Sequence, residues 1–280
     1  MRPVAIIDFG MGNIRSVQKA CEFLGYAAVL TADPACLGQA DKAILPGVGA
    51  FGDAMAALRQ LDFVEAIRAY AAAGKPLLGI CLGMQLMFAN STEGLDDGQG
   101  PAATEAPAEP VAATGGDEPA IAAGGLAASG GGLTAATDEP ATAAAAGGLA
   151  AASAQPATPA GGSAHSGLGL LPGVIRRFPA DLGVKVPHIG WNQVACRPGS
   201  RLFAGLPANF YAYFVHSYLA DDLSAPYSAG FCRHGADFVA AIEQGQLFAT
   251  QFHPEKSGAL GLAVLRNFLA GPAGKEARPC

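Results

Sequence analysis

The feature that most constrains this chain is the stretch 96–165, from Asp96 to His165, built of Ala, Gly, Pro and Thr with few large apolar side chains. A segment of that composition cannot bury enough surface to offset the entropy lost on ordering it. It contains a loose repeat: Asp117-Glu118-Pro119-Ala120 leads to Gly124-Gly125-Leu126-Ala127-Ala128, and Asp138-Glu139-Pro140-Ala141 leads to Gly147-Gly148-Leu149-Ala150-Ala151. Each copy offers one Leu and no apolar face, so stacking the copies as a solenoid would bury nothing. The composition therefore predicts a disordered insertion, with short helical turns in the Ala runs as the alternative. The remainder is long enough to bury a core of its own. The expected organisation is one domain made from 1–95 and 166–272, interrupted by the acidic insertion 96–165 and followed by a tail, 273–280.

The same stretch distorts the charge. The formal net charge of −6 sets 17 Lys and Arg against 23 Asp and Glu. Asp96, Asp97, Glu105, Glu109, Asp117, Glu118, Asp138 and Glu139 all lie in the insertion, which has no Lys or Arg. The rest of the chain is therefore close to neutral, and it carries no basic cluster that would mark a nucleic-acid footprint. No run of ~18 apolar residues free of charges and Gly or Pro breaks occurs, so no membrane span is expected. The opening Met1-Arg2-Pro3-Val4-Ala5-Ile6-Ile7-Asp8 carries an aspartate in its apolar run, unlike a secretory signal. The six cysteines (Cys21, Cys36, Cys81, Cys196, Cys232 and Cys280) show no CxxC and no Cys/His metal spacing. They read as reduced thiols of a cytoplasmic protein, with no metal and no cofactor required.

Before the insertion, short apolar runs at 4–8, 27–30, 43–45 and 77–80 alternate with helical patterns at 14–24, 55–59, 63–73 and 82–88. That order predicts an α/β fold with a parallel sheet covered on both faces. After it, runs at 186–191, 210–218, 227–232, 238–243 and 247–251 read as hairpin-like strands, and 260–269 as a closing helix. A mixed central sheet is expected.

Gly79-Ile80-Cys81-Leu82-Gly83 falls where a buried strand gives way to a helix. This is the arrangement of a nucleophile elbow, with a thiol where hydrolases place a serine. The turn lifts the sulfur above the sheet at a helix N-terminus, where partial positive charge favours thiolate. His253, in Gln251-Phe252-His253-Pro254-Glu255, follows the last strand run and is the candidate base, with Glu255 to orient it. His216 is the rival base, then His188, with His234 and His165 behind. Leu45-Pro46-Gly47-Val48-Gly49 could bring backbone N–H groups close to a developing oxyanion, or could be an ordinary strand-end turn.

Together the elbow, the 251–255 segment and the 46–49 loop resemble a class I, triad-type glutamine amidotransferase. Pro187-His188-Ile189-Gly190-Trp191-Asn192, Tyr213-Phe214-Val215-His216-Ser217-Tyr218 and Phe252-His253-Pro254-Glu255-Lys256-Ser257-Gly258 are similar, with that loop, to the glutaminase subunit of imidazole glycerol phosphate synthase. The resemblance implies a three-layer, flavodoxin-like α/β fold around a mostly parallel, mixed sheet. It implies that Cys81 attacks L-glutamine, that His253 moves the proton and that Glu255 orients His253. The oxyanion donors would come from Leu82 and from Val48 and Gly49. Gln85, Glu93, Val215, His216, Ser217 and Tyr218 would line the glutamine pocket. It implies as partner a (β/α)8-barrel cyclase in a heterodimer, faced by Asn13, Pro187, His188, Trp191 and Asn192, although Trp191 could equally be a core residue. The insertion departs from the family's pattern and begins just beyond Glu93. The alternatives are a class I amidotransferase serving a different synthase, an elbow-thiol peptidase or chaperone-like protein, and a non-catalytic binding module.

Overall fold

The computed structural model describes residues 3–95 and 165–271. The disorder expected for 96–164 and the tail 273–280 lie outside the described residues. The first segment runs β1 (Val4–Ile7), α1 (Ile14–Phe23), β2 (Ala28–Thr31), α2 (Pro34–Leu37), β3 (Ala43–Leu45), α3 (Phe51–Gln60), α4 (Phe63–Ala72), β4 (Leu77–Ile80), α5 (Leu82–Leu86) and β5 (Phe88–Ser91). The second runs β6 (His165–Ser166), β7 (Leu171–Arg177), β8 (His188–Cys196), β9 (Asn209–His216), β10 (Tyr218–Leu219), β11 (Ser228–His234), β12 (Ala236–Gln244) and β13 (Leu247–Thr250). A 3-10 turn (Pro254–Lys256) and α6 (Gly258–Ala270) complete it.

The strands form a nine-stranded sheet in the order β2-β1-β3-β4-β13-β12-β11-β8-β9 and a four-stranded sheet in the order β10-β7-β5-β6. From β2 to β13 every neighbour is parallel, and from β13 to β9 every neighbour is antiparallel. The order β2-β1-β3-β4 followed by a fifth parallel strand is that of flavodoxin-like sheets. Burial explains the division. Every residue of β1, β3 and β4 is buried, as a parallel strand covered on both faces requires. In β8 and β9 burial alternates, leaving one face wet.

Helices cover both faces of the parallel half. On one side α1 buries Val17, Ala20 and Cys21, a single helical stripe, against a cluster that also holds Val264, Leu265 and Phe268 of α6. On the other side α3 buries Phe51, Ala54, Met55 and Leu58, packed with Phe63 and Ile67 of α4. Asp33 caps α2 by accepting from the Ala35 N–H at 2.9 Å, with Pro34 at the first helical position.

One expectation is corrected and two features are added. The helix placed at 82–88 stops at Leu86, and Phe88 opens β5 instead. The second sheet was not anticipated; its strand β7 runs through Pro172 and Gly173 and is held by β5 and β10. His165, the last residue of the stretch assigned to the insertion, pairs with Ser91.

Candidate functional site

The carboxyl ends of β3, β4 and β13 are adjacent, and the 46–49 loop, the Cys81 elbow and the His253–Glu255 segment each follow one of them. Thr250 of β13 lies opposite Ile80 of β4, so the chain leaves both strands side by side, toward Cys81 from one and His253 from the other.

Cys81 has φ 54°, the left-handed region that a side chain enters only under strain, here held by the Cys81 N–H donating to the Thr250 carbonyl at 2.7 Å. The flanking glycines are required by space. A Cβ on Gly79 would lie 2.8 Å from the Gly83 carbonyl oxygen, and one on Gly83 would lie 1.8 Å from that of Leu45. The thiol is buried and donates to the Val215 carbonyl at 3.6 Å, while the Gln251 amide donates to the sulfur at 3.7 Å.

His253 and Glu255 are buried together, with Nδ1 2.9 Å from Oε1. The His253 carbonyl accepts from the Ser257 hydroxyl at 2.6 Å and its N–H donates to the Tyr213 carbonyl at 3.0 Å, so the segment is clamped on both sides. Burial alone would lower the imidazole pKa. The charges of Cys81 and Glu255 and their hydrogen bonding outweigh it and raise the pKa to about 10. His253 Nε2, the nitrogen not taken by Glu255, has no partner that meets ordinary hydrogen-bond geometry.

The 46–49 loop lies against the elbow: a Cβ on Gly47 would stand 3.1 Å from Leu82 Cβ and 3.2 Å from the Gly83 nitrogen. Val48 is exposed, and Gly49 takes φ 98° with its α-carbon under the Met11 side chain. Leu82 opens α5, where the first N–H groups have no acceptor in the helix.

Gln85 is buried one turn beyond the thiol, and its amide donates to the Tyr218 carbonyl at 3.1 Å and to Gln251 Oε1 at 3.0 Å. Glu93 Oε2 accepts from the Phe51 N–H at 2.5 Å, at the start of the helix that follows the 46–49 loop. Burial raises the Glu93 pKa, partly offset by that bond and by His165. Val215 and Tyr218 reach the elbow through their carbonyls, and Ser217 stands at the bend between β9 and β10 that separates them.

The remaining histidines do not approach the thiol. His216 Nδ1 is 2.8 Å from the Tyr218 carbonyl, His188 is bonded to His216, and His234 Nε2 is 2.8 Å from the Lys185 carbonyl. His188 also corrects an expectation: it is buried, so its ring cannot face a partner. Strand alternation explains this, since Ile189 and Trp191 point outward from β8 when His188 points in. Trp191 is 58% exposed, not a core residue, and with exposed Ile189 and Tyr211 forms an apolar face on β8 and β9. Pro187, Asn13 and Asn192 are half-buried. Among the described residues no cluster could hold a metal ion, and no helix is long and apolar enough to cross a membrane.

Gln251 is the site residue that sequence reasoning passed over. It stands beside His253, but nothing in its spacing says that it turns toward Cys81 and Gln85; only the pairing of β13 with β4 does.

A strand-to-helix elbow bearing a thiol, beside a buried His–Glu pair on a half-parallel sheet, defines a class of enzyme domain, and the family model for class-I glutamine amidotransferases matches residues 5–271. Solved structures share the fold. A crystal structure of a glutamine amidotransferase superposes with a TM-score of 0.57 at 15% identity, covering 96% of this chain and 98% of that one. A structure of PurLQS from Thermotoga maritima gives 0.56 at 15% identity, covering 96% and 99%. Curated relatives narrow the class. The chain is 41% identical over 269 residues to the imidazole glycerol phosphate synthase subunit HisH of Moorella thermoacetica, covering 96% of this chain and 94% of the relative. It is 36% identical over 270 residues to the same subunit of Syntrophotalea carbinolica, covering 95% and 98%. The chain belongs to the class-I glutamine amidotransferase family, in its HisH branch.

Proposed function

We infer that this chain is the glutaminase subunit of imidazole glycerol phosphate synthase, serving histidine biosynthesis by releasing ammonia from glutamine. The observation that carries the assignment of roles is the buried His253–Glu255 pair beside the Cys81 elbow, with the pKa of His253 raised. Cys81 Sγ attacks the side-chain amide carbon of L-glutamine as the thiolate, its proton already held by His253, whose raised pKa keeps the imidazolium. The tetrahedral oxyanion is met by the Leu82 N–H and by an N–H of Val48 or Gly49. The C–N bond breaks, the imidazolium proton goes to the leaving nitrogen, and ammonia departs. Water, deprotonated by His253, then hydrolyses the γ-glutamyl thioester to glutamate and restores the thiolate–imidazolium pair.

Gln85 and Glu93 hold the amino-acid end of the substrate, and the Val215–Tyr218 backbone forms the opposite wall. The partner is a (β/α)8-barrel cyclase in a heterodimer, which uses the ammonia to make imidazole glycerol phosphate and an aminoimidazole carboxamide ribotide. The exposed apolar face of Ile189, Trp191 and Tyr211 has the aromatic character of a docking anchor and supports this. Residues 1–95 and 166–272 act as one amidotransferase domain, a reading supported by β4 and β13, from opposite sides of the insertion, lying side by side in one sheet. A reducing cytoplasm suits five cysteines that are free among the described residues.

The test is glutamate release from glutamine with and without the cyclase and its ribonucleotide substrate, in wild type and Cys81→Ser. Release that the liganded cyclase stimulates and that Cys81→Ser abolishes is expected. A folded complex that releases no glutamate would refute the assignment.

A further inference from the structure

Three side chains away from the thiol, His216, His188 and Asn192, form a hydrogen-bonded string with a fixed direction. His188 of β8 and His216 of β9 are directly opposite in the antiparallel ladder, both buried. His216 Nδ1 is 2.8 Å from the Tyr218 carbonyl oxygen, His188 Nδ1 is 3.0 Å from His216 Nε2, and Asn192 Nδ2 is 3.1 Å from His188 Nε2. Asn192 Nδ2 also donates to the Arg233 carbonyl at 2.9 Å, while its Oδ1 accepts from the Gln193 N–H at 2.8 Å.

The end groups settle where each proton sits. Tyr218 O can only accept, so His216 carries its proton on Nδ1 and, when neutral, accepts at Nε2. His188 must then donate from Nδ1 and accept at Nε2. Asn192 supplies that donor, and its amide orientation is fixed independently by Arg233 O and the Gln193 N–H. The directions from the two ends agree only if both rings are neutral Nδ1–H tautomers. Their surroundings favour neutrality: burial, with His234 nearby, lowers the His188 pKa to about 4. Burial, with His188, His234 and His253 adding and the Tyr218 bond opposing, lowers that of His216 to about 3.

The inner end of the string reaches the reaction. The Tyr218 carbonyl that accepts from His216 also accepts from Gln85, whose amide donates to Gln251, whose own amide donates to Cys81. We propose that His216 and His188 are positioning residues for glutamine hydrolysis: together they fix the Tyr218 carbonyl on which the Gln85–Gln251 pair beside the thiol depends. The rate consequence rests on the glutaminase reading above; the tautomers do not.

Side-chain 15N spectra of the histidines in the full chain test the arrangement without any assay. His188 and His216 are expected as neutral Nδ1–H tautomers at pH 7, and finding either as Nε2–H or as imidazolium overturns the proposal. The second arm compares His188→Leu with His188→Asn and His216→Leu with His216→Asn, in complex with the cyclase. Asn places an amide N–H where Nδ1–H stood, so it keeps the bond to His216 Nε2 or to Tyr218 O; Leu keeps only bulk. Leu variants are expected to lose about tenfold in glutamine kcat/KM at unchanged partner Kd, with Asn variants restored to within about twofold of wild type. Rings that merely fill space among Phe178, Phe214 and Phe238 would give the opposite ranking, Leu better than Asn, and that result overturns the proposal. Should the Leu variants fail to fold, as thermal melting would reveal, the wild-type tautomers alone decide. Failure of the parent reading is separate: it appears as a wild-type complex that releases no glutamate.

Discussion

Gly83→Ala probes how tightly the elbow and the oxyanion loop are built on one another. The added methyl would sit 1.8 Å from the Leu45 carbonyl oxygen and 2.8 Å from its carbonyl carbon, where ordinary contact begins at about 3.4 Å. Something must therefore move by about 1.5 Å. Leu45 cannot yield freely, because β3 is held by β1 on one side and β4 on the other and its side chain is fully buried. Overpacking of this kind costs about 3 kcal/mol or more, and the better helix propensity of Ala in α5 returns about 1 kcal/mol. The net loss of about 2 kcal/mol corresponds to a melting temperature lower by about 4–8 °C for a domain of this size. The movement also separates the 46–49 loop, which continues directly from Leu45, from Leu82. A misplacement of that order costs about a hundredfold in rate. Differential scanning calorimetry and glutamate release measure the two effects. Gly38→Ala is the control: Gly38 has φ −58° and its nearest neighbour would be 4.0 Å away, so that variant should melt at or slightly above wild type. If Gly83→Ala melted and turned over like wild type, the argument that a glycine at 83 exists to admit β3 would be wrong.

Glu255→Gln removes the charge that helps raise the His253 pKa, and turnover should fall by about one to two orders of magnitude. The same variant tests linkage: a raised histidine pKa gives stability that is full below about pH 6.5 and lost as pH rises through about 10, so the decline in melting temperature should be smaller and end at lower pH in the variant, and superimposable curves would contradict this. Lys42→Met should cost about 1–3 kcal/mol in denaturant unfolding, since the buried ammonium donates to the Phe268, Leu269 and Gly271 carbonyls that end α6; an unmoved midpoint would show those bonds to be worthless. Trp191→Ala should weaken cyclase binding by about tenfold or more in calorimetry, with the melting temperature of the free chain unchanged because the ring is mostly in solvent.

Much of the site was legible because its residues are punctuated by chain geometry. Cys81 and its glycines announce a strand-to-helix turn, and His253 and Glu255 follow a strand with a proline to stiffen the step. The parallel strands were legible as unbroken apolar runs for the same reason that they are buried on both faces. What could not be read was anything decided by a partner across the sheet. Gln251 owes its place near the thiol to the register of β13 on β4, and β7 owes its extended form to β5 and β10 despite its Pro and Gly. The inward turn of His188 was available from strand alternation, but only with the β8 register in hand; the motif that contains it suggested a surface. Glu93 was expected to meet substrate, and the structure adds that its carboxylate also holds the Phe51 N–H.

The ladder between β5 and β6 has a consequence for the chain's tolerance of foreign sequence. Asn90 is paired with Ser166 and Ser91 with His165, so the chain on either side of the interruption is tied together before it departs and as soon as it returns. The distance to be spanned is set by that pair of strands and not by what is threaded between them. Each doubling of the intervening length then costs only about 0.6 kcal/mol in closure entropy. This makes the junction a ready-made splice point. A reporter or affinity module whose own termini lie close together could replace the Ala/Gly-rich stretch, and the constraint on such a graft would be its bulk near His165 and Glu93, not its length.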